Sequence, residues 1–514
     1  MRVAVIGGGV AGLAAAWRLS TVHEVVLYEA SDTLGGHAKT IDVPGNNGMQ
    51  PVDFGFLLCN PWTYPNLFAM FDALGVQARP IVPGVTMSAS FPDGYWTTGG
   101  QTPLMQRLRP EITRFERTMQ QVMAQPGDSI ELTLEMLLNE EGFSSEFQQK
   151  FVVPMLSQLF ITQHAALDIS CLGAAFCFGP TPMLAINHPV PFSTMEQGSR
   201  QYVERLAASI DGETRTGTRI KSITRGADSV TVVDECDRSD TFDQIVLATD
   251  ATTALELFSD ANAEERLLLG DVQYVPCTIV IHSDPAVLPS EPEEPAAYVF
   301  IAEGATPKAT SMYSTYNLRR IQSWLDSDVF ATLNPPEGLI DPDKIYHTQT
   351  GWKHLVGDAL QALRAGEMHR IQGKRRTWFC GTHIADAAWH EGALCTGLAV
   401  AAALGGSYPF PGNHIARISF NELAIQHMRV LSPSIDSNRN SALWPAPAMS
   451  ISRHLTDELV RSEVAKKLSF GLPQAAFSRL SPLGWARAAA VRVIAPQVSP
   501  YEETMKTIES EGIN

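Results

Sequence analysis

The chain has 514 residues, of which 45% are hydrophobic and 18% charged, and a formal net charge of −17 at pH 7. At about 150 residues per domain that is two to four globular domains rather than one. The acidic balance excludes a nucleic-acid partner, which would need clustered Lys and Arg, and it argues against general attraction to anionic lipid, although a local peripheral membrane contact stays open.

In chain order, the first elements are a strand Val3–Ile6, a glycine turn, a helix from about Val10 to Leu19 and a strand Val25–Tyr28, which together begin a βαβ unit. The opening residues lack a basic n-region of any length, and glycines interrupt their apolar run, so they do not read as a signal peptide. No uninterrupted apolar stretch reaches the roughly 18 residues that span a bilayer, and the expectation is a cytoplasmic protein. From Pro61 to about Leu137 the pattern is mostly helical, with a strand-like stretch near Thr86–Tyr95. The helical region Glu146–Gly179 is rich in Phe, Leu and Cys; Phe147–Phe178 reads either as the lining of an apolar tunnel or as plain helical core. A new unit begins near Gly198: helix Arg200–Ile210, strands Arg219–Thr224 and Ser229–Asp234, and an apolar run from Gln244 ending at Asp250. Strands follow at Gln273–Ser283 and Ala297–Ala302, then a buried strand at Trp378–Gly381 and a helix Gly392–Leu404. Beyond Gly405, prolines break the chain between amphipathic stretches such as Leu455–Leu468 and Trp485–Ile494. The seven cysteines are scattered without a CxxC pair, which predicts free thiols and neither a disulfide framework nor a zinc site.

Gly7-Gly8-Gly9-Val10-Ala11-Gly12 fits G-x-G-x-x-G. Alone the match is weak; after an apolar strand and at the start of an apolar helix it is strong. Gly7 permits the tight turn, Gly9 lets the backbone approach a pyrophosphate, and Gly12 lets the helix pack closely on the sheet. The N–H groups of Val10 and Ala11 open the helix, where the dipole favours an anion. Glu29 and Ala30 end the second strand, and a carboxylate there accepts hydrogen bonds from ribose hydroxyls and repels a 2′-phosphate. The turn does not separate NAD from FAD.

The residues that follow make that separation. Glu29-Ala-Ser-Asp-Thr-Leu-Gly35-Gly36-His37-Ala-Lys-Thr40 resembles FAD proteins of the glutathione-reductase type and, within them, the flavin amine oxidase-like branch. By that resemblance the loop with Gly35, Gly36, His37 and Thr40 lies along the ribitol and the isoalloxazine ring; His37 stands where Arg is commoner. Gln50-Pro-Val-Asp53-Phe-Gly55-Phe56-Leu resembles the strand that carries Asp-x-Gly under the flavin, and Gly198-Ser199-Arg200 resembles the family's glycine-serine turn. Cys380-Gly381 through Gly397 resembles the family's second flavin motif. There Gly381 lies by the ribityl phosphate, with Thr382 where Glu is common, and Gly392 and Ala393 offer N–H donors to the pyrimidine edge at a helix N-terminus. Trp389, His390 and Glu391 are the expected flavin-facing catalytic residues. Cys395, inside the helix, reads as a packed thiol, so the FAD is expected to be non-covalent. His383 and Asp386 beside His390 belong to this loop more simply than to a metal site.

The match extends to Pro61–Leu67, Gly198–Leu206, Thr332–Pro335 and Arg375–Gly381, which look like a bacterial group of predicted NAD/FAD-binding oxidoreductases found beside, or fused to, cyclopropane-fatty-acid synthases. Where that group often has His-Glu-Asp-Gly, this chain has His390-Glu391-Gly392-Ala393. The resemblance, which runs from Met1 to about Leu404, implies an α/β fold: a Rossmann-like FAD domain from 1–75, 195–262 and 365–406 and an inserted α+β substrate domain from 76–194 and 263–364; the extension over 407–514 lies outside it and is read as mainly helical from its amphipathic stretches. It implies two-electron oxidation of a small or medium organic substrate at a C–N or C–C bond, with dioxygen one acceptor open to it. Two alternatives stand beside this: desaturation or isomerisation of a fatty-acyl chain, and a non-catalytic flavin-binding partner. Cys59–Trp62, Trp389–Glu391 and Gln273–Ile281 are expected nearest the ring. The lysine that amine oxidases hold near flavin N5 has no motif here, and Lys308 is the nearest by region. The oligomeric state is left open.

Overall fold

The computed structural model describes residues 1–124, 132–160, 166–178, 186, 191–290, 296–302, 312–385 and 389–424. Lys308, Asp386 and the stretches Leu455–Leu468 and Trp485–Ile494 lie outside the described residues.

Strand β1 (Arg2–Ile6), helix α1 (Val10–Leu19) and strand β2 (Glu24–Tyr28) form where the sequence places them. Val3, Ala4 and Val5 are completely buried, because a parallel sheet covered on both faces needs apolar residues on both sides of the strand. Helix α2 spans Pro65–Leu74, with proline at its first turn and Gly75 in the left-handed region closing it. Much later in the chain come α3 (Arg200–Ala208), β3 (Glu213–Arg215), β4 (Gln244–Leu247), β5 (Thr377–Phe379) and α4 (His390–Ala403). The five strands make one parallel sheet in the order β5-β4-β1-β2-β3. The order reverses direction at β1, and such a switch point opens a crevice outside the carboxyl ends of β1 and β4. Helix α4 packs on α1 closely enough that a Cβ on Gly397 would overlap the Ala11 carbonyl.

A seven-stranded sheet stands apart from this one. Its order is Ile345–Leu355, Tyr274–His282, Phe330–Leu333, Met312–Asn317, Tyr298–Ala302, Met87–Phe91, Gly94–Thr97. All neighbours are antiparallel except Tyr298–Ala302 against Met87–Phe91. The expected strands at Gln273–Ser283 and Ala297–Ala302 are two of these; Met312–Asn317, Phe330–Leu333 and Ile345–Leu355 were not legible as strands. The stretch Thr86–Tyr95 is a hairpin rather than one strand. A hairpin Thr40–Gly45 with Gly48–Asp53 and a small antiparallel sheet, Ile220–Arg225, Val230–Asp234 and Ser239–Phe242, complete the β structure named here.

The described rings of the Phe-rich region pack as helical core. Phe147 packs on Phe115, Phe143 and Phe151, and Phe178 packs edge-on to Phe115 at 4.9 Å. These rings are buried against one another and against Trp96. Of the described residues of 147–178, only Gln158 lines the cavity described below.

Candidate functional site

The glycine turn closes on itself for reasons internal to the protein at two of its glycines. Gly7 has φ +111°, and a Cβ there would sit 2.6 Å from the Ala248 carbonyl oxygen at the end of β4; a Cβ on Gly12 would overlap the Gly7 carbonyl. Gly9 differs. Its φ is −73°, and a Cβ would meet nothing nearer than the Gly36 Cα at 3.8 Å. No protein atom needs glycine there, so the open space at the mouth of α1 is a cradle that a side chain would fill and a pyrophosphate fits. The first N–H groups of α1, on Val10 and Ala11 among them, have no partner within the helix. Glu29, half-buried at the end of β2, takes the Gly8 N–H at 2.7 Å and the Ser31 N–H at 2.8 Å, which fixes its carboxylate beside the turn. Ala30 is exposed next to it.

The second glycine loop is docked on the first. Gly35 N–H donates to the Gly8 carbonyl at 2.8 Å, and Gly36, at φ +58°, brings its Cα region against Gly9. The chain then runs through His37 into a cavity of about 130 Å³. His37, Gly55 and Phe56 line it from this side, Trp389 and His390 from the start of α4, and Trp352, His354, Tyr298, Tyr316 and Ile279 from the second sheet. The path from the α1 mouth through Gly36 and His37 to this cavity matches an elongated cofactor with its ring end in the cavity.

Every histidine that lines the cavity is neutral. Burial pushes His37 and His390 down to about 3 and His354 to about 4. His37 lines the cavity while presenting accessible surface, and its ring stacks on Trp352 at 4.5 Å. No Asp, Glu, Lys or Arg lines the cavity among the described residues.

Several expected site residues serve other ends. Asp53 is completely buried and accepts hydrogen bonds from Thr40 Oγ1, Ser199 N–H and Ser199 Oγ, the last two at 2.7 and 2.9 Å. Burial raises its pKa to about 6 despite those bonds. Thr40 and Asp53 thus join the hairpin to the start of α3 rather than presenting polar atoms to the cavity. Glu391 is also buried, and its carboxylate accepts from the N–H groups of Asn66 and Leu67 and from Asn66 Nδ2, all at 2.8–2.9 Å. It holds the N-terminus of α2 and does not line the cavity, which corrects its expected place on the reacting face. Ala393 N–H is taken by the Trp389 carbonyl, so the free donors at the mouth of α4 are those of His390, Glu391 and Gly392. Gly381, φ +133°, follows β5 and donates to Thr396 Oγ1 at 2.9 Å. Cys395 is a buried free thiol against Glu391 Oε1. Cys59, at the start of the Cys59–Trp62 segment expected near the ring, pairs with the Ser193 backbone, and that segment does not line the cavity; Phe54–Leu58 does.

Comparison with known proteins decides the family. The family described as flavin-containing amine oxidoreductases matches residues 10–405. The chain belongs to that family. It is therefore an FAD-dependent oxidoreductase. No curated protein matches the sequence. Among solved structures, putrescine oxidase bound to putrescine is 15% identical, with a TM-score of 0.58 over 79% of this chain and 99% of that one. Cyclohexylamine oxidase from Brevibacterium oxydans is 16% identical, with a TM-score of 0.57 over 81% and 99%. A CLA-producing fatty acid isomerase from P. acnes is 15% identical, with a TM-score of 0.56 over 82% and 97%. At these identities the likeness is one of fold.

Sequence reasoning missed Trp352, His354, Tyr298 and Tyr316 as residues that line the cavity. The strand Ile345–Leu355 carries mostly half-exposed and polar residues, so no alternation announced it.

Proposed function

We propose that this flavoprotein removes two electrons from a small or medium organic substrate whose reacting C–N or C–C bond is presented uncharged. The observation that carries this is the cavity wall: aromatic and aliphatic side chains with neutral histidines and, among the described residues, no charged group. A cation there would lose hydration without gaining a counter-ion. An amine would enter as the free base, held between Trp389, Tyr298 and Tyr316. The bound flavin supplies two-electron acceptance by hydride transfer. The chain's own residues orient the substrate, exclude water and stabilise charge at the mouth of α4. Dioxygen is the acceptor this reading favours. The division into an FAD domain (1–75, 195–262, 365–406) and a substrate domain (76–194, 263–364) belongs to the same proposal, with each sheet at the centre of one.

A second reading rests on the aliphatic part of the wall, Leu57, Leu58, Ile279 and Leu333, together with the fold shared with the fatty acid isomerase. These residues suit an acyl chain. Anaerobic mixing of the holoprotein with candidate amines and with unsaturated fatty acids separates the readings. Bleaching of the oxidised flavin band by amines, with a rate that rises with pH as free base accumulates, supports the first. A moved double bond without net bleaching supports the second. No response to either class overturns both.

A further inference from the structure

His390 opens α4 with one face and one edge of its ring occupied. Phe56 covers one face, with ring centroids 4.1 Å apart and planes 9° apart. Tyr202, completely buried on α3, meets the ring edge-on, and its hydroxyl lies 2.5 Å from Nε2. Nδ1 has no protein partner among the described residues, and the residue lines the cavity.

These contacts fix the proton. The Tyr202 hydroxyl has one hydrogen, and among the described residues His390 Nε2 is its one hydrogen-bonding neighbour. A buried hydroxyl hydrogen left without an acceptor is disfavoured, so the phenol donates and Nε2 accepts. A neutral imidazole that accepts at Nε2 carries its hydrogen on Nδ1. Burial, reinforced by nearby His37, keeps the ring neutral. The remaining N–H therefore faces the cavity, beside the free backbone N–H groups of His390, Glu391 and Gly392.

We propose that Tyr202 locks His390 as the Nδ1–H tautomer and that this N–H donates a hydrogen bond to the bound flavin ring, stabilising the charge the ring gathers on reduction and raising its reduction potential. His390 is then a cofactor-tuning residue and Tyr202 a positioning residue. The inference rests on the flavin reading of the cavity, because the path from the α1 mouth past Gly36 and His37 ends there. The hydrogen stays on Nδ1 throughout; hydride transfer needs no proton from it, and the N–H stabilises the gained charge by a hydrogen bond to it.

Two measurements test this. The first is nitrogen NMR of histidine-labelled apoprotein at neutral pH, with the His390 signal assigned by its loss in His390→Asn. A protonated Nδ1 in the wild type, shifting toward a mixture in Tyr202→Phe, is expected; a protonated Nε2 in the wild type overturns the proposal. The second is the flavin midpoint potential of the holoprotein. His390→Leu is expected to disfavour reduction about tenfold, the loss of one charge-assisted hydrogen bond, or about 30 mV for a two-electron couple. His390→Asn, which keeps an N–H donor near the Nδ1 position, is expected to stay near the wild type, and Tyr202→Phe to fall between. An unchanged potential in His390→Leu at full FAD occupancy overturns this proposal alone. If His390→Leu does not fold, a wild-type potential in Tyr202→Phe overturns it instead. Wild-type protein that binds no FAD overturns the flavin reading beneath it, and the NMR result still decides the tautomer.

Discussion

At the scale of single residues, Gly7 and Gly9 look alike in the motif and differ in the fold. Gly7 needs its positive φ and the space against Ala248, whereas Gly9 leaves room that no protein atom uses. Gly7→Ala should therefore destabilise even the apoprotein, by about 1–3 kcal/mol. Gly9→Ala should leave the apoprotein's melting temperature near wild type and weaken FAD binding tenfold or more, read by flavin retention on gel filtration; equal loss of stability in both variants would refute the distinction. Glu391 is the opposite case, a residue whose neighbours in sequence misplace it. Its partners Asn66 and Leu67 lie more than three hundred positions away, at the first turn of α2. Burial, opposed by those hydrogen bonds, raises its carboxyl to about 7. A folded-state pKa above the unfolded one means that the protonated form is favoured by folding, so its contribution is present below about 4.5 and is lost as pH rises through about 7. Glu391→Gln should remove that part of the stability–pH slope, seen in denaturant titrations at pH 5 and 8.

At the scale of elements, the helices α1 and α4 meet without side chains between them at Gly397 and Ala11. That contact sets the two N-termini in fixed relation. Gly397→Val should push the helices apart, cost about 1–3 kcal/mol and weaken FAD binding as well; retention of wild-type flavin affinity would show that the spacing is not what holds the site. The strand–turn–helix β1–α1 was legible because its signals are local: an apolar run, a glycine turn, then an apolar helix. The strands Phe330–Leu333 and Met312–Asn317 were not, because their residues, such as Ser314, Thr315 and Thr332, are polar yet completely or almost completely buried. Thr315 and Thr332 satisfy each other across the sheet at 2.9 Å, and His282 joins them through Nε2. No periodicity in one segment reveals a polar pair formed between two.

At the scale of the whole molecule, His282 and His383 are buried away from the cavity wall, and burial pushes both to about 4. A histidine whose folded pKa is depressed contributes stability above its unfolded value of about 6.5 that is lost as pH falls toward about 4. The melting temperature should therefore drop between pH 6.5 and 4, and His282→Asn with His383→Asn should flatten that drop; an unchanged acid limb in the double variant would assign it elsewhere. Among the described residues no helix is long and apolar enough to cross a membrane. The sequence by itself determined the family and the shape of four local segments, the α1 mouth, Glu29, the Gly35-Gly36 loop and the helix after Gly381, because each is a short segment whose backbone geometry requires those residue types in that order. Only the tertiary structure decided the cavity. That Trp389 and His390 face it while Glu391 does not, that Trp352, Tyr298 and Tyr316 join them there, and that Tyr202 backs His390, depends on contacts between elements far apart in the chain, where burial and hydrogen-bond satisfaction, not local pattern, choose each side chain's partner.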